Sequence, residues 1–204
     1  MIVPTLNYEQ SLWKNGVQFV AGIDEVGRGA LAGPVVAAAI MVSASHRLIP
    51  GIRDSKTLSK KQKLVLADLI LNSCIWSIGE SSVKEIDDVG IVSATSLAMQ
   101  RALEKLPNIS HVLIDGLPFK NPELLNQYEK TFIVKGDSLS YSIAAASIIA
   151  KVHRDSLLFE LSKTLPLYQF DKNVGYGTQK HLEAIHLSGL TNQHRKLFCR
   201  KVFS

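Results

Sequence analysis

Cysteine is scarce in this chain, and the scarcity removes two function classes at once. Cys74 and Cys199 are the only thiols in 204 residues, too few for a disulfide framework and without the paired spacing of a zinc finger. Each reads as a small core residue in a reducing compartment. The six histidines show no metal-ligand spacing either. Long hydrophobic runs are absent: the longest, from Leu31 to Val42, carries Gly33 and Pro34 and is too short to span a bilayer. The segment Met1-Ile-Val-Pro-Thr5 has no basic stretch followed by an apolar one, so no signal peptide is expected and a cytoplasmic, membrane-free protein is. No repeat or low-complexity linker breaks the chain, which leaves one main domain able to bury a substantial core.

What is present is ordinary in bulk and unusual in detail. Apolar residues make up 46% and charged residues 20%, as in a globular protein. Lys and Arg outnumber Asp and Glu by 23 to 18, a net charge of +5 that permits nucleic-acid binding without requiring it. Residues 6–15 suit a short opening helix. Val17–Ile23 and Val35–Val42 read as strands, joined by a connection holding Gly27, Gly29, Gly33 and Pro34. Ser59-Lys-Lys-Gln62 fits a capping box ahead of a helix, and Cys74–Ile78 resembles a third strand. Ile91, Ala94, Ala98, Ala102 and Leu106 line a second helix that stops before Pro107. Two short strands follow, His111–Ile114 and Thr131–Val134. A long helix rich in alanine spans about Ser140–Leu161, and a short one lies near Gln179–Leu187 before a basic tail. The pattern implies an α/β protein. Its early strands pair antiparallel and its later ones join in parallel through helices.

The distinctive feature is where the carboxylates fall. Asp24 and Glu25 follow an apolar strand, Asp115 ends a later one, and Asp137 follows the next, each beside or near glycine. Taken singly they have plain explanations: an N-cap with a solvated acid, an Asp-Gly turn, a cap for the helix near Ser140. Taken together at the carboxyl ends of neighbouring strands, they form a cluster that repels itself unless cations hold it. Oxygen-only ligands suit magnesium or manganese. One geometric condition applies: successive strand residues face opposite ways, so Asp24 and Glu25 share a site only where the strand ends or bulges. A dinucleotide site is rejected. Gly27, Gly29 and Gly33 lack the usual spacing, and a strand follows them where the pyrophosphate needs a helix amino terminus.

These residues resemble the type 2 ribonuclease H family, ribonuclease HII. The likeness runs in order through Gly22-Ile-Asp-Glu-Val-Gly-Arg-Gly29, Leu31-Ala-Gly-Pro-Val-Val-Ala-Ala-Ala39, Asp54-Ser-Lys56, Asp115-Gly116 and Lys135-Gly-Asp137. It continues through Ser142–Ser147, Ala150-Lys-Val152 with Arg154-Asp155, Gly175-Tyr-Gly-Thr178 with His181, and His194-Arg195. Ala30, Leu117 and Leu197 depart from residues usual in the family.

The resemblance implies a ribonuclease H-like fold: a mixed five-stranded sheet flanked by helices, with a small C-terminal helical extension. It divides the chain into a catalytic domain at 1–165 and an extension at 166–204 that contributes to substrate binding. It implies cutting of RNA in RNA–DNA hybrids and beside ribonucleotides embedded in duplex DNA, by two Mn2+ or Mg2+ ions, leaving 5′-phosphate and 3′-hydroxyl ends. The metal-binding acids carried over are Asp24, Glu25, Asp115 and Asp137. Gly27, Arg28 and Gly29 would sense the ribose 2′-hydroxyl, and Tyr176 would pack against the nucleotide at the RNA-to-DNA junction.

Lys56 suits a phosphate contact. Arg195, Lys196, Arg200 and Lys201 suit either a clamp on the duplex or plain solubility, and His181 could support the tyrosine loop. A monomer is expected. The competing reading is a binding module of the same shape that recognises hybrids without cutting them.

Overall fold

The computed structural model of the chain describes residues 3–118 and 125–202, with Lys201 described in its backbone only. Met1, Ile2 and the Lys201 side chain, all named in the sequence reading, therefore lie outside the described residues. The architecture is a five-stranded sheet between two helical layers. Its strands are β1 (Val20–Val26), β2 (Val35–Val42), β3 (Ile75–Ser81), β4 (His111–Asp115) and β5 (Lys130–Ile133). They lie in the order β3-β2-β1-β4-β5. β2 runs antiparallel to both β1 and β3, whereas β1, β4 and β5 are mutually parallel. The mixed sheet matches the expectation.

Every residue of β2 is buried, which is why it reads as an unbroken apolar run and not as an alternating one. Val36, Ala38, Ile40 and Val42 face one helical layer, made by α2 (Lys60–Ser73) and α5 (Tyr141–Thr164). Val35, Ala37, Ala39 and Met41 face the other, made by α3 (Val83–Leu103). The alanines of α5, Ala144, Ala145 and Ala146, are fully buried against the sheet. Small side chains there let a helix axis lie close to the strands.

Several boundaries differ from the sequence reading. β1 begins three residues later than expected and continues through Val26, so Asp24 and Glu25 lie inside the strand. α3 begins well before Ile91. Ser82 accepts from the Glu85 backbone N–H at 3.2 Å and Glu85 returns a bond to the Ser82 N–H at 2.8 Å, a capping box the apolar spacing did not reveal. Gly90 kinks that helix at φ 78°. The strand expected at Cys74–Ile78 runs on to Ser81. Residues 116–118 and 125–129, between β4 and β5, hold no α-helix. The opening helix is α1 (Asn7–Lys14).

The remaining short helices are α4 (Gly136–Leu139), α6 (Phe170–Asn173), α7 (Gln179–Ser188) and α8 (Lys196–Cys199). Tyr168, Phe170, Ala184 and Ile185 pack on Leu158 of α5 and on Ala32, seating the C-terminal helices beside the β1–β2 connection. Among the described residues no helix is long and apolar enough to cross a membrane.

Candidate active site

Parallel pairing brings the acids together. Ile23 of β1 stands opposite Ile114 of β4, so the next residues, Asp24 and Asp115, leave the sheet side by side. Asp137 arrives by a different route from the one expected. Lys135 adopts a left-handed conformation after β5 (φ 58°, ψ 39°) and turns the chain into α4. The Gly136 N–H then donates to Asp115 Oδ1 at 2.6 Å, and the Asp137 N–H reaches the same oxygen at 3.4 Å. Asp137 is not the cap of the long helix; Ser140 caps α5 through the Ile143 N–H. One carboxylate oxygen from each of Asp24, Asp115 and Asp137 lies within 4.8 Å of the others.

Glu25 stands beside this trio but outside it. Its Oε1 accepts from Arg28 Nη1 at 3.0 Å, and its Oε2 is buried with no hydrogen bond. Strand alternation explains the separation: Gly22 lies against α5, Ala21 and Ile23 against α3, and Glu25 follows the latter series. Even so, Asp24 and Glu25 both line one cleft of about 210 Å³. Lys56, Lys151, Asp115 and Tyr176 line it too.

The electrostatics are those of a site built for positive charge. Asp24 is 8% exposed, and burial first, then the charges of Glu25 and Asp115, push its carboxyl well above the usual range. Burial and the neighbouring Asp137 raise Asp115 as well. Burial raises Glu25, with Arg28 working against it. Lys56 Nζ sits 3.3 Å from Asp137 Oδ2. Burial opposes the Lys56 charge, but Asp137 and Asp54 outweigh it and hold the ammonium above its ordinary value. Lys56 and Arg28 together do not neutralise four carboxylates. An oxygen-only donor set, mutually repelling, with an orphaned carboxylate oxygen at its edge, fits hard divalent cations.

Other expected residues divide. Gly27 is buried at φ +93°, and a Cβ there would meet Arg154 Nε at 2.2 Å, so the protein's own packing demands glycine. Gly29 is exposed, and a Cβ on it would meet nothing within 4 Å. Arg28 is exposed apart from its bond to Glu25. Lys196 and Arg200 are exposed, in keeping with either reading of the tail.

Arg195 is not on the surface at all. It is fully buried and donates to the carbonyls of Arg28 at 3.0 Å and Gly33 at 2.8 and 3.0 Å. It cannot clamp a duplex; it pins the loop that precedes β2. Arg154, also fully buried, does likewise for Ala32, Pro34 and Val174. Sequence reasoning missed Lys151 and Ser147 as lining residues; their signal was polar side chains four apart across the apolar run Ile148–Ala150 of α5.

This mixed five-stranded sheet is the fold of solved ribonuclease H structures. Among them is the ribonuclease H2 from Pyrococcus horikoshii, with a TM-score of 0.73 at 24% identity over 90% of this chain and 96% of that one. The family pattern described as Ribonuclease HII matches residues 21–201. A Synechococcus ribonuclease HII is 47% identical over 201 residues, covering 97% of this chain and 89% of that protein. In three dimensions the chain is similar to one in the PCNA:RNase HII complex from Archaeoglobus fulgidus. That likeness has a TM-score of 0.75 at 25% identity and covers 87% of this chain and 94% of that one. Bst-RNase HIII in complex with Mn2+ shares the fold at a TM-score of 0.73 and 21% identity, over 92% of this chain and 70% of that one. The chain belongs to the ribonuclease HII family, a family of endonucleases.

Proposed function

We propose that this chain hydrolyses the RNA strand of RNA–DNA hybrids and incises beside single ribonucleotides in duplex DNA. The observation that carries the proposal is the trio of carboxylate oxygens within 4.8 Å of one another, two of whose residues, Asp24 and Asp115, line a cleft with Lys56, Lys151 and Tyr176. Asp24, Asp115 and Asp137 would hold divalent cations, with Glu25 completing the set through its unpartnered oxygen. A pair of Mg2+ or Mn2+ ions, when bound, supplies an acidified water and neutralises charge on the leaving oxygen. A related protein, Bst-RNase HIII, has been solved with Mn2+.

The remaining work belongs to the chain. A bond forms between water oxygen and phosphorus, and the P–O3′ bond breaks, which yields 5′-phosphate and 3′-hydroxyl ends. The Gly136 N–H fixes one oxygen of Asp115, a residue that lines the cleft. Lys56 and Lys151 offer positive charge to the scissile phosphate's neighbours. Ribose is told from deoxyribose by its 2′-hydroxyl, and backbone at Gly29 can approach it because no Cβ intervenes. Tyr176 offers a ring for stacking on the nucleotide at the junction. In this reading residues 1–165 carry the chemistry, and the extension at 166–204 contributes to substrate binding through the Tyr176 loop.

The test is Asp115→Asn, which keeps an oxygen for the Gly136 N–H but removes the charge. Cleavage of an end-labelled hybrid should fall below about a hundredth of wild type while hybrid binding persists. Unchanged turnover would falsify the assignment and favour a module that binds hybrids without cutting.

A further inference from the structure

We propose that His181 and His194 form a relay of two imidazoles in fixed, opposite tautomers that positions Tyr176 for the junction nucleotide. Both rings are buried, at 0% and 1% exposure. The relay rests on the reading of Tyr176 above and assigns to it two positioning residues that touch neither metal nor substrate.

The proton on each ring follows from its neighbours. The Thr191 backbone N–H points at His194 Nδ1 at 3.0 Å and cannot accept, so that nitrogen is bare; the Thr191 hydroxyl, 2.9 Å from the same atom, is then also a donor to it. A neutral His194 then carries its proton on Nε2. This atom faces His181 Nε2 at 3.1 Å, and two facing nitrogens share one proton, so His181 Nε2 is the acceptor. The His181 proton therefore sits on Nδ1, which donates to the Tyr176 carbonyl at 2.9 Å. Each bond dictates the next.

A further proton on either ring would set two N–H groups head to head. Aromatic rings enclose the pair and keep water from it: Phe170 packs against His181 at 5.3 Å, and Tyr168 lies 4.8 Å from His194. Burial pushes both imidazoles below their ordinary value, His194 to about 4 with the help of its neighbour.

What the relay connects gives it a role. At one end, the Gln193 carbonyl accepts from the Gly33 N–H at 2.8 Å, and the Arg195 N–H donates to Leu31 at 2.8 Å. That turn is therefore fastened to the connection that begins at Gly27. At the other end, the Tyr176 carbonyl takes the His181 proton and also the Thr178 N–H at 2.8 Å, while the Tyr176 ring lies 5.6 Å from the Arg154 guanidinium. The backbone carrying the stacking ring is thereby registered against the backbone that meets the ribose.

Two measurements test this on the full chain. A long-range 1H–15N spectrum at neutral pH should show opposite neutral tautomers, Nε2–H for His194 and Nδ1–H for His181. Identical tautomers, or a charged ring, would overturn the relay whatever the activity. The second is a double-mutant cycle on a duplex holding one ribonucleotide. His181→Leu should lower kcat/KM about tenfold, and His181→Asn, whose amide can donate to the same carbonyl, should recover most of the loss.

In a Tyr176→Ala background the leucine substitution should add less than about twofold. Equal losses in both backgrounds would mean a general packing role and sink the proposal. If the leucine variant does not fold, the tautomer spectrum of the wild-type chain decides. If the wild-type chain cleaves no hybrid, the functional reading fails while the spectrum still tests the relay.

Discussion

Replacing Asp24 with asparagine should make the cation-free protein more stable while disabling its metal site. In the folded protein the carboxyl is buried, and its oxygen shares a space of 4.8 Å with those of Asp115 and Asp137. At that separation, and an effective dielectric of about 20, two full charges repel by roughly 3.5 kcal/mol. Lys56 offsets part of the repulsion, and shared protonation relieves more, so the net gain should be about 2–3 kcal/mol. Asparagine can still accept from the Glu25 N–H, which meets Asp24 Oδ1 at 2.7 Å, so the strand loses no hydrogen bond.

For a chain of this length that gain is a rise of about 5–10 °C in Tm, read by calorimetry in chelator. The pH dependence has a definite sign. The folded-state pKa of Asp24 lies above its unfolded value, so the folded state binds the extra proton and the penalty grows as pH rises from about 3.8. The advantage of the variant should therefore vanish in acid. Added Mn2+ or Mg2+ at a hundredfold excess over Kd should stabilise wild type by about 2.7 kcal/mol and the variant far less. A variant no more stable than wild type in chelator, or one shifted equally by cation, would refute the argument.

Two further substitutions separate packing from recognition. Gly29→Ala enters open space, so Tm should stay within about 2 °C of wild type while ribose selectivity falls more than duplex affinity. Equal losses on ribose-containing and all-DNA duplexes would count against the backbone reading. Gly136→Ala places a Cβ 2.7 Å from Ile143 Cδ1 and 3.2 Å from Asp115 Oδ1. The isoleucine tip can yield but the carboxylate must shift, so kcat/KM should drop about tenfold with a Tm loss of only about 2–4 °C. Unaltered cleavage by that variant would show that the Asp115–Gly136 contact does not set the site.

The parts of the fold legible in the sequence are those where a local signal decides the outcome. β2 appears at its exact bounds because it is apolar throughout and Pro34 precedes it. The start of α2 follows from Ser59 and Gln62 alone. The expected end of β1, at Ile23, falls short of Val26 because paired carboxylates look like a terminator. Here the strand tolerates them: Asp24 and Glu25 stand opposite Ala38 and Ala37, whose small side chains leave room. Asp137 was found by its place after a strand, but the left-handed Lys135 that delivers it has no sequence signature, since non-glycine residues rarely adopt that conformation. Arg195 misled most. A basic tail reads as a surface, and only the folded chain shows carbonyls arranged around the guanidinium.

The two buried arginines explain how the proposed site, drawn half from loops, would be held firmly. Asp24 and Asp115 inherit rigidity from adjacent strands, whereas Gly29 and Tyr176 lie on connections, which are ordinarily the mobile parts of a domain. Among the described residues neither Arg154 nor Arg195 forms an ion pair, and a buried cation without a counter-charge costs several kcal/mol. What offsets the cost is a set of charge-assisted bonds, three from each guanidinium, to the carbonyls of Arg28, Ala32, Gly33, Pro34 and Val174. Those carbonyls belong to two connections, the one between β1 and β2 and the one that leads into Tyr176. A lysine at position 154 presents one nitrogen where the fork presents three, so it cannot brace both connections at once. The loops are thus braced before any substrate arrives, and the proposed discrimination by backbone shape needs no further ordering of the chain on binding.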